Sequence, residues 1–153
     1  MKDGAPPDSW IQEGSTSEKY QSLRDRALAE RLPGIVTDDM DWLYQFWSHF
    51  LVRNFNYDMY NDFRSMAWED GAAGNDGGLN HLSQYYGALL TGDRVLTEML
   101  AEDIVKLAET EAKMKRPTFY TLRSAWRNGA FNLKSRKAIA KFVSPVFKEE
   151  LDN

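Results

Sequence analysis

Apolar side chains recur along this chain at spacings of three and four, the period of an α-helix buried along one side. The clearest stripe is Met40, Leu43, Phe46, Trp47, Phe50 and Leu51. Thr37 stands ahead of it, with Asp38, Asp39 and Asp41 in the first turn, where a hydroxyl cap and carboxylates near the positive end of the helix dipole favour a start. An earlier helix carries Tyr20, Leu23, Ala27 and Leu28; it is opened by the capping-box pair Ser15 and Glu18 and closed by Pro33-Gly34. After a turn at Asn54-Phe55-Asn56, a third helix over roughly 57–71 turns Met59, Tyr60, Phe63, Met66 and Ala67 inward, and Gly71, Gly74, Gly77 and Gly78 break it. A fourth carries Leu79, Leu82, Tyr85, Tyr86, Leu89 and Leu90 and ends at Gly92. The fifth, with Val95, Leu96, Met99, Leu100, Ile104, Leu107 and Ala108, runs to about Lys115. Pro117 and a Thr118 cap predict a short sixth helix through Leu122 and Trp126 to Gly129. Ser135 is read as the cap of a helix holding Ala138, Ile139 and Phe142, and Ser144-Pro145 as the start of a tail helix. No segment alternates in the way a strand does, so no sheet is expected.

The stripes repeat. Leu43, Phe46, Trp47, Phe50 and Leu51 return 39 residues later as Leu82, Tyr85, Tyr86, Leu89 and Leu90. Met59, Phe63, Met66 and Ala67 return 41 residues later as Leu100, Ile104, Leu107 and Ala108. A unit of about 40 residues built from two antiparallel helices is the signature of HEAT-type repeats, whose hairpins bury their faces by stacking. The expected fold is all-α: about three HEAT-like hairpins in one domain over residues 15–153, behind a flexible lead-in at 1–14.

Composition narrows the chemistry. The chain has 153 residues, no Cys and only two His, His49 and His81, which excludes disulfides and Cys- or His-rich metal centres. No apolar run has the length of a membrane span, and the polar, Pro-containing start is not a signal peptide. No nucleophile lies near a His, and the Gly-rich GNDGGL lacks the Lys-Ser/Thr of a phosphate-binding loop. Neither a catalytic set nor a cofactor or metal motif is present, so the chain is not expected to be an enzyme.

Charge is what singles out a surface. The net value of −4 conceals an acidic first part, with a balance of −7 over residues 1–91, and a basic second part, +3 over 92–153. From Ala112 to Lys148 all ten ionised side chains are basic: Lys113, Lys115, Arg116, Arg123, Arg127, Lys134, Arg136, Lys137, Lys141 and Lys148. Arg123 and Arg127 share a helical face near Tyr120 and Trp126; Lys134, Lys137 and Lys141 share another, with Phe131 in the turn between. Cations around an aromatic ring suit phosphates and stacked bases. The plainer reading is a solvated face opposite a buried Trp126.

LYQFWSHFLVRNFNYDMYNDFRSMAWEDGAAG resembles the first repeat of the C-terminal DM-15 region of the La-related protein 1 family. KYQSLRDRALAERLPGI resembles its lead-in helix, GGLNHLSQYYGALL the start of its second repeat, and YTLRSAWRNGAF its third; the likeness spans about residues 18–131. It implies three HEAT-like hairpins that bind the 7-methylguanosine cap and adjacent pyrimidines of messenger RNAs with 5′-terminal oligopyrimidine tracts. The cap would be held between aromatic rings with a carboxylate reading the base, and the setting would be cytoplasmic control of translation and mRNA stability. Carried over by position, the first-repeat arginines fall on Gln45 and Val52 and the aromatic one turn after the first on His49. The second-repeat arginine, stacking tyrosine and guanine-reading glutamate fall on Gln84, Ala88 and Thr91. The third-repeat tyrosine falls on Phe131. The scaffold is kept while the cap pocket is largely replaced. The expected RNA contacts are therefore Arg123, Arg127, Phe131, Lys134 and Lys137, with His49, Arg53 and Tyr85 on the family-equivalent surface. The expected partner is RNA, near the mRNA 5′ end, and the isolated domain is expected to be monomeric. The alternative is a protein–protein interaction module without direct RNA binding.

Overall fold

The computed structural model describes residues 16–111 and 115–153. Among these lie eight α-helices: α1 (Thr16–Ala29), α2 (Asp38–Arg53), α3 (Tyr57–Ala72), α4 (Gly77–Thr91), α5 (Glu98–Thr110), α6 (Pro117–Arg127), α7 (Leu133–Ala140) and α8 (Pro145–Asp152). No strand occurs among the described residues, only an isolated antiparallel bridge between Leu32 and Ile35. None of these helices is long and apolar enough to cross a membrane. The fold is all-α, with α2–α3, α4–α5 and α6–α7 as successive helix pairs in chain order. The chain divides into two compact units, one ending at Tyr85 and one beginning at Tyr86.

The first unit is organised around aromatic side chains. Trp47 is buried, stacks on Phe63 at 5.5 Å and donates its indole N–H to the Tyr20 hydroxyl at 3.0 Å, which ties α1 to α2. Tyr85 closes the cluster, 6.0 Å from Tyr60 and 6.1 Å from Phe63. One carboxylate, Asp70, is wholly buried here; it accepts from the Tyr44 hydroxyl, the Gly34 amide and the Arg31 guanidinium. In the second unit Leu100, Ile104, Leu107, Phe119, Leu122, Trp126, Ile139, Phe147 and Leu151 are buried, and α5 packs on α6 and α7 while α6 packs on α8.

The first repeated stripe and its copy are buried alike. Leu43, Phe46, Trp47 and Leu51 are buried, as are Leu82, Tyr85, Tyr86 and Leu90, while Phe50 and Leu89 are each half-buried. Leu122, Ala125 and Trp126 continue the series on α6, 40 residues after Leu82, Tyr85 and Tyr86.

Helix ends depart from expectation in four places, each with a physical cause. Gly77 and Gly78 start α4 instead of breaking the chain; only Gly74 sits in the turn at positive φ, +97°. Gly78 is there because a Cβ would come within 2.7 Å of the Tyr44 ring and 2.9 Å of the Ala67 backbone. The fifth helix stops at Thr110, short of Lys115. The Glu111 carboxylate just beyond it accepts from the amides of Thr118 and Phe119 at 2.8 and 3.0 Å. Glu111 thus caps α6 from outside; Thr118 lies buried within that helix and is not its cap. Ser135 likewise does not cap α7: Asn132 accepts from the Lys134 and Ser135 amides, and the buried Ser135 hydroxyl accepts from the Leu96 amide at 3.0 Å. Thr37 and Ser144 cap α2 and α8 as expected. The expected cap at Ser15 and the residues of the lead-in lie outside the described residues.

Candidate nucleic-acid interface

Within the second unit an open cleft of about 530 Å³ runs between the C-terminal end of α4 and the end of α6 with its following loop. Leu90, Thr91, Gly92 and Asp93 form one wall; Tyr120, Thr121, Ser124, Ala125, Asn128, Ala130, Phe131 and Asn132 form the other. Two rings face it. Tyr120 is 53% exposed and Phe131 half-buried, so both offer ring surface to an occupant. Asp93, exposed in the short loop after α4, is the one carboxylate in the lining.

Local order shapes this cleft. Asn128 accepts from the Ala130 amide at 2.9 Å and its carbonyl from the Phe131 amide at 3.0 Å, which bends the chain after α6. Asn132 then caps α7. Thr91, the position of the glutamate implied by the resemblance, turns its hydroxyl back to donate to the Gly87 carbonyl at 3.0 Å. Ala88 brings no ring. The carboxylate of the lining is two residues further on, at Asp93.

The ten cations do not form one equivalent set. Lys113 lies outside the described residues, and Lys115 is exposed just ahead of α6, away in sequence from the residues that line the cleft. Four have intramolecular acceptors: Arg116 pairs with Glu150 at 3.0 Å, Lys148 with Asp152 at 2.8 Å, Lys141 with Glu98, and Arg136 donates to the Trp126 carbonyl. Lys148 and the Trp126 indole N–H, which donates at 2.8 Å, together hold the Asp152 carboxyl below its ordinary pKa. Arg123, half-buried on α6, lies 5.6 Å from the Phe119 ring centre and 5.2 Å from that of Tyr120. Arg127, Lys134 and Lys137 are exposed, and among the described residues no acidic side chain pairs with them. Arg127 directly precedes the loop that walls the cleft and Lys134 follows it two residues after Asn132; Lys137 is one turn further along α7.

The remaining expected contacts lie in the first unit. His49 and Arg53 are exposed, one turn apart on α2. Tyr85 is a correction: its side chain is fully buried against Tyr60 and Phe63, and that burial pushes its phenol pKa well up, so it presents no ring to solvent. Gln45, where the resemblance implies an arginine, donates its amide to Asp41 at 2.7 Å.

Sequence reasoning did not place Tyr120 and Asp93 in the site, and it left Arg136 among undifferentiated cations. Tyr120 carried a signal, since it sits three residues before Arg123 on one helical face; Asp93 carried none, being an ordinary loop acid. The scaffold that brings these groups together is a known one. The model of the LARP1 HEAT repeat region matches residues 7–153, and the chain belongs to that family.

Proposed function

We propose that this chain is an RNA-binding module of a regulator of messenger RNA translation and stability, acting in the cytoplasm near the mRNA 5′ end. One observation carries the reading: an open cleft offers two accessible rings, and the chain on either side of its loop wall carries three exposed cations that have no acidic partner among the described residues. An unpaired base enters the cleft between Tyr120 and Phe131. The phosphates that follow lie along Arg127, Lys134 and Lys137, with Arg123 behind Tyr120. Stacking of a base on an aromatic side chain contributes about 1–3 kcal/mol and tolerates any base. Asp93 supplies the acceptor for base N–H groups that Thr91 does not. With Ala88 and Thr91 where the resemblance implies a stacking ring and a base-reading glutamate, a preference for the methylated cap through the family's geometry is not expected. His49 and Arg53 are further candidate contacts on the first unit.

Fluorescence anisotropy with capped and uncapped oligopyrimidine RNA, at several salt concentrations, tests this. Binding of both RNAs with similar affinity is expected. For a single strand the slope of log K against log salt is about −0.7 per phosphate neutralised, so three cations predict roughly −2. Lys134→Gln and Lys137→Gln should each flatten that slope by about 0.7. No binding of either RNA at low salt would remove the RNA reading and leave the protein–protein interaction module in its place.

A further inference from the structure

Arg136, like Arg116 over the Phe119 ring, turns its guanidinium onto aromatic side chains of its own unit, but does so at the wall of the cleft. It is half-buried on α7, 4.6 Å from the Trp126 ring centre and 6.0 Å from that of Phe131, and it donates to the Trp126 carbonyl. Its own amide donates to the Asn132 carbonyl at 2.9 Å. One residue therefore touches the end of α6, the ring in the middle of the following loop, and the residue that closes that loop. Trp126 is a fixed point: it is buried, and its indole N–H is bound by Asp152.

We propose that Arg136 is a positioning residue that holds Phe131 in place as a wall of the base-binding cleft; this rests on the RNA reading above. A ring on an unsupported loop would have to be ordered when the base arrives, and that ordering would weaken binding. The planar guanidinium can lie against Trp126 and Phe131 and still donate in its own plane to the Trp126 carbonyl. An ammonium group has no such plane. One nitrogen of the Arg136 guanidinium is committed to the Trp126 carbonyl, whereas Arg127, Lys134 and Lys137 are exposed and have no acidic partner among the described residues; Arg136 is therefore assigned to the loop and the other three to phosphate.

The test is a double-mutant cycle on the full chain, with a short uncapped oligopyrimidine RNA as probe. Kd is measured for wild type, Arg136→Lys, Phe131→Ala and the double variant across a salt series. Arg136→Lys should raise Kd roughly five- to tenfold, as expected for one side chain newly ordered on binding, and leave the salt slope unchanged. In the Phe131→Ala background the same substitution should change Kd less than about twofold, since contacting residues are non-additive. Without RNA, hydrogen exchange at the Phe131 amide should speed up in Arg136→Lys. If that variant loses helical circular dichroism, Arg136→Met, which keeps packing against Trp126, replaces it throughout. A slope flattened by about 0.7 would make Arg136 a phosphate contact, and equal losses in both backgrounds would make it a general structural support; either overturns the assignment. Wild type is titrated first, so absence of RNA binding overturns the RNA reading and this assignment with it, whereas wild-type binding with an additive cycle overturns this assignment alone.

Discussion

Removing the Asp70 carboxylate should be the most damaging single change in the first unit. Its side chain is fully buried and bound on every side. The Tyr44 hydroxyl donates to it at 2.5 Å, the Gly34 amide at 2.9 Å, and Arg31 at 3.2 Å through one nitrogen and 3.0 Å through another. Burial alone would lower the pKa of Arg31, but the hydrogen bonds it donates to Asp70 and Glu69 outweigh it and hold the guanidinium above its ordinary value. Asp70→Ala leaves this nearly buried cation without its main partner, and breaking a buried pair costs about 3–5 kcal/mol. Glu69, 2.8 Å from Arg31 and half exposed, retains some of the pairing. The Tyr44 and Gly34 donors are orphaned as well, at about 1–3 kcal/mol each if no water reaches them. A total near 4 kcal/mol is a conservative sum, and for a chain of this size it corresponds to a fall in Tm of about 8–16 °C. Scanning calorimetry measures the fall, and hydrogen exchange at Gly34 localises it. Asp70→Asn keeps an acceptor oxygen and should cost clearly less. A loss below about 1 kcal/mol in Asp70→Ala, or equal losses in the two variants, would refute the account.

Further expectations follow from the packing and the caps. Gly78→Ala places a methyl group against the Tyr44 ring and the Ala67 backbone and should destabilise by about 1–3 kcal/mol in urea unfolding. Glu111→Ala removes the acceptor for two amides at the start of α6 and should cost about 1–2 kcal/mol, with faster exchange at Thr118 and Phe119. Burial raises the phenol pKa of Tyr20, Tyr44 and Tyr85 above the ordinary value of 10.0, so each stays protonated in the folded chain after it would ionise in the unfolded one. Their contribution is complete below that value and is lost as pH rises through the folded pKa; the unfolding free energy should fall above pH ~10, by at most about 1.4 kcal/mol per pH unit for each tyrosine, and Tm with it. Tyr85→Phe should reduce that alkaline slope, and an unchanged slope would count against burial as its cause.

Periodicity carried the core and local chemistry carried some of the caps. The stripe from Leu43 to Leu51 and its copy from Leu82 to Leu90 match in burial position for position, with Phe50 and Leu89 half-buried in both, because a 3.6-residue period leaves little choice about which side faces inward. The third copy was harder to see: Ala125 stands where an aromatic stands in the others, so Leu122 and Trp126 alone keep the pattern. Thr37 and Ser144 were legible as caps since their acceptor oxygens serve amides three residues on. Glu111 was not, for it serves amides seven and eight residues away across a loop. Ser135 has good capping chemistry and a different partner, the Leu96 amide 39 residues earlier.

The same distinction governs the interface. Residue type alone makes the ten cations interchangeable, but affinity for a polyanion depends on which of them are already neutralised. That depends on partners far along the chain: Lys141 meets Glu98 from 43 residues away, and Arg116 meets Glu150 from 34. Once such pairs form, an added phosphate must displace a carboxylate that is already in place, whereas at Arg127, Lys134 and Lys137 it displaces only water and mobile ions. On the proposed RNA reading, the exposed trio is set apart by what the rest of its unit neutralises. A basic run read as a sum of charges overstates the surface, and one read by its pairing leaves Arg127, Lys134 and Lys137 exposed on either side of the loop that walls the cleft, with no acidic partner among the described residues.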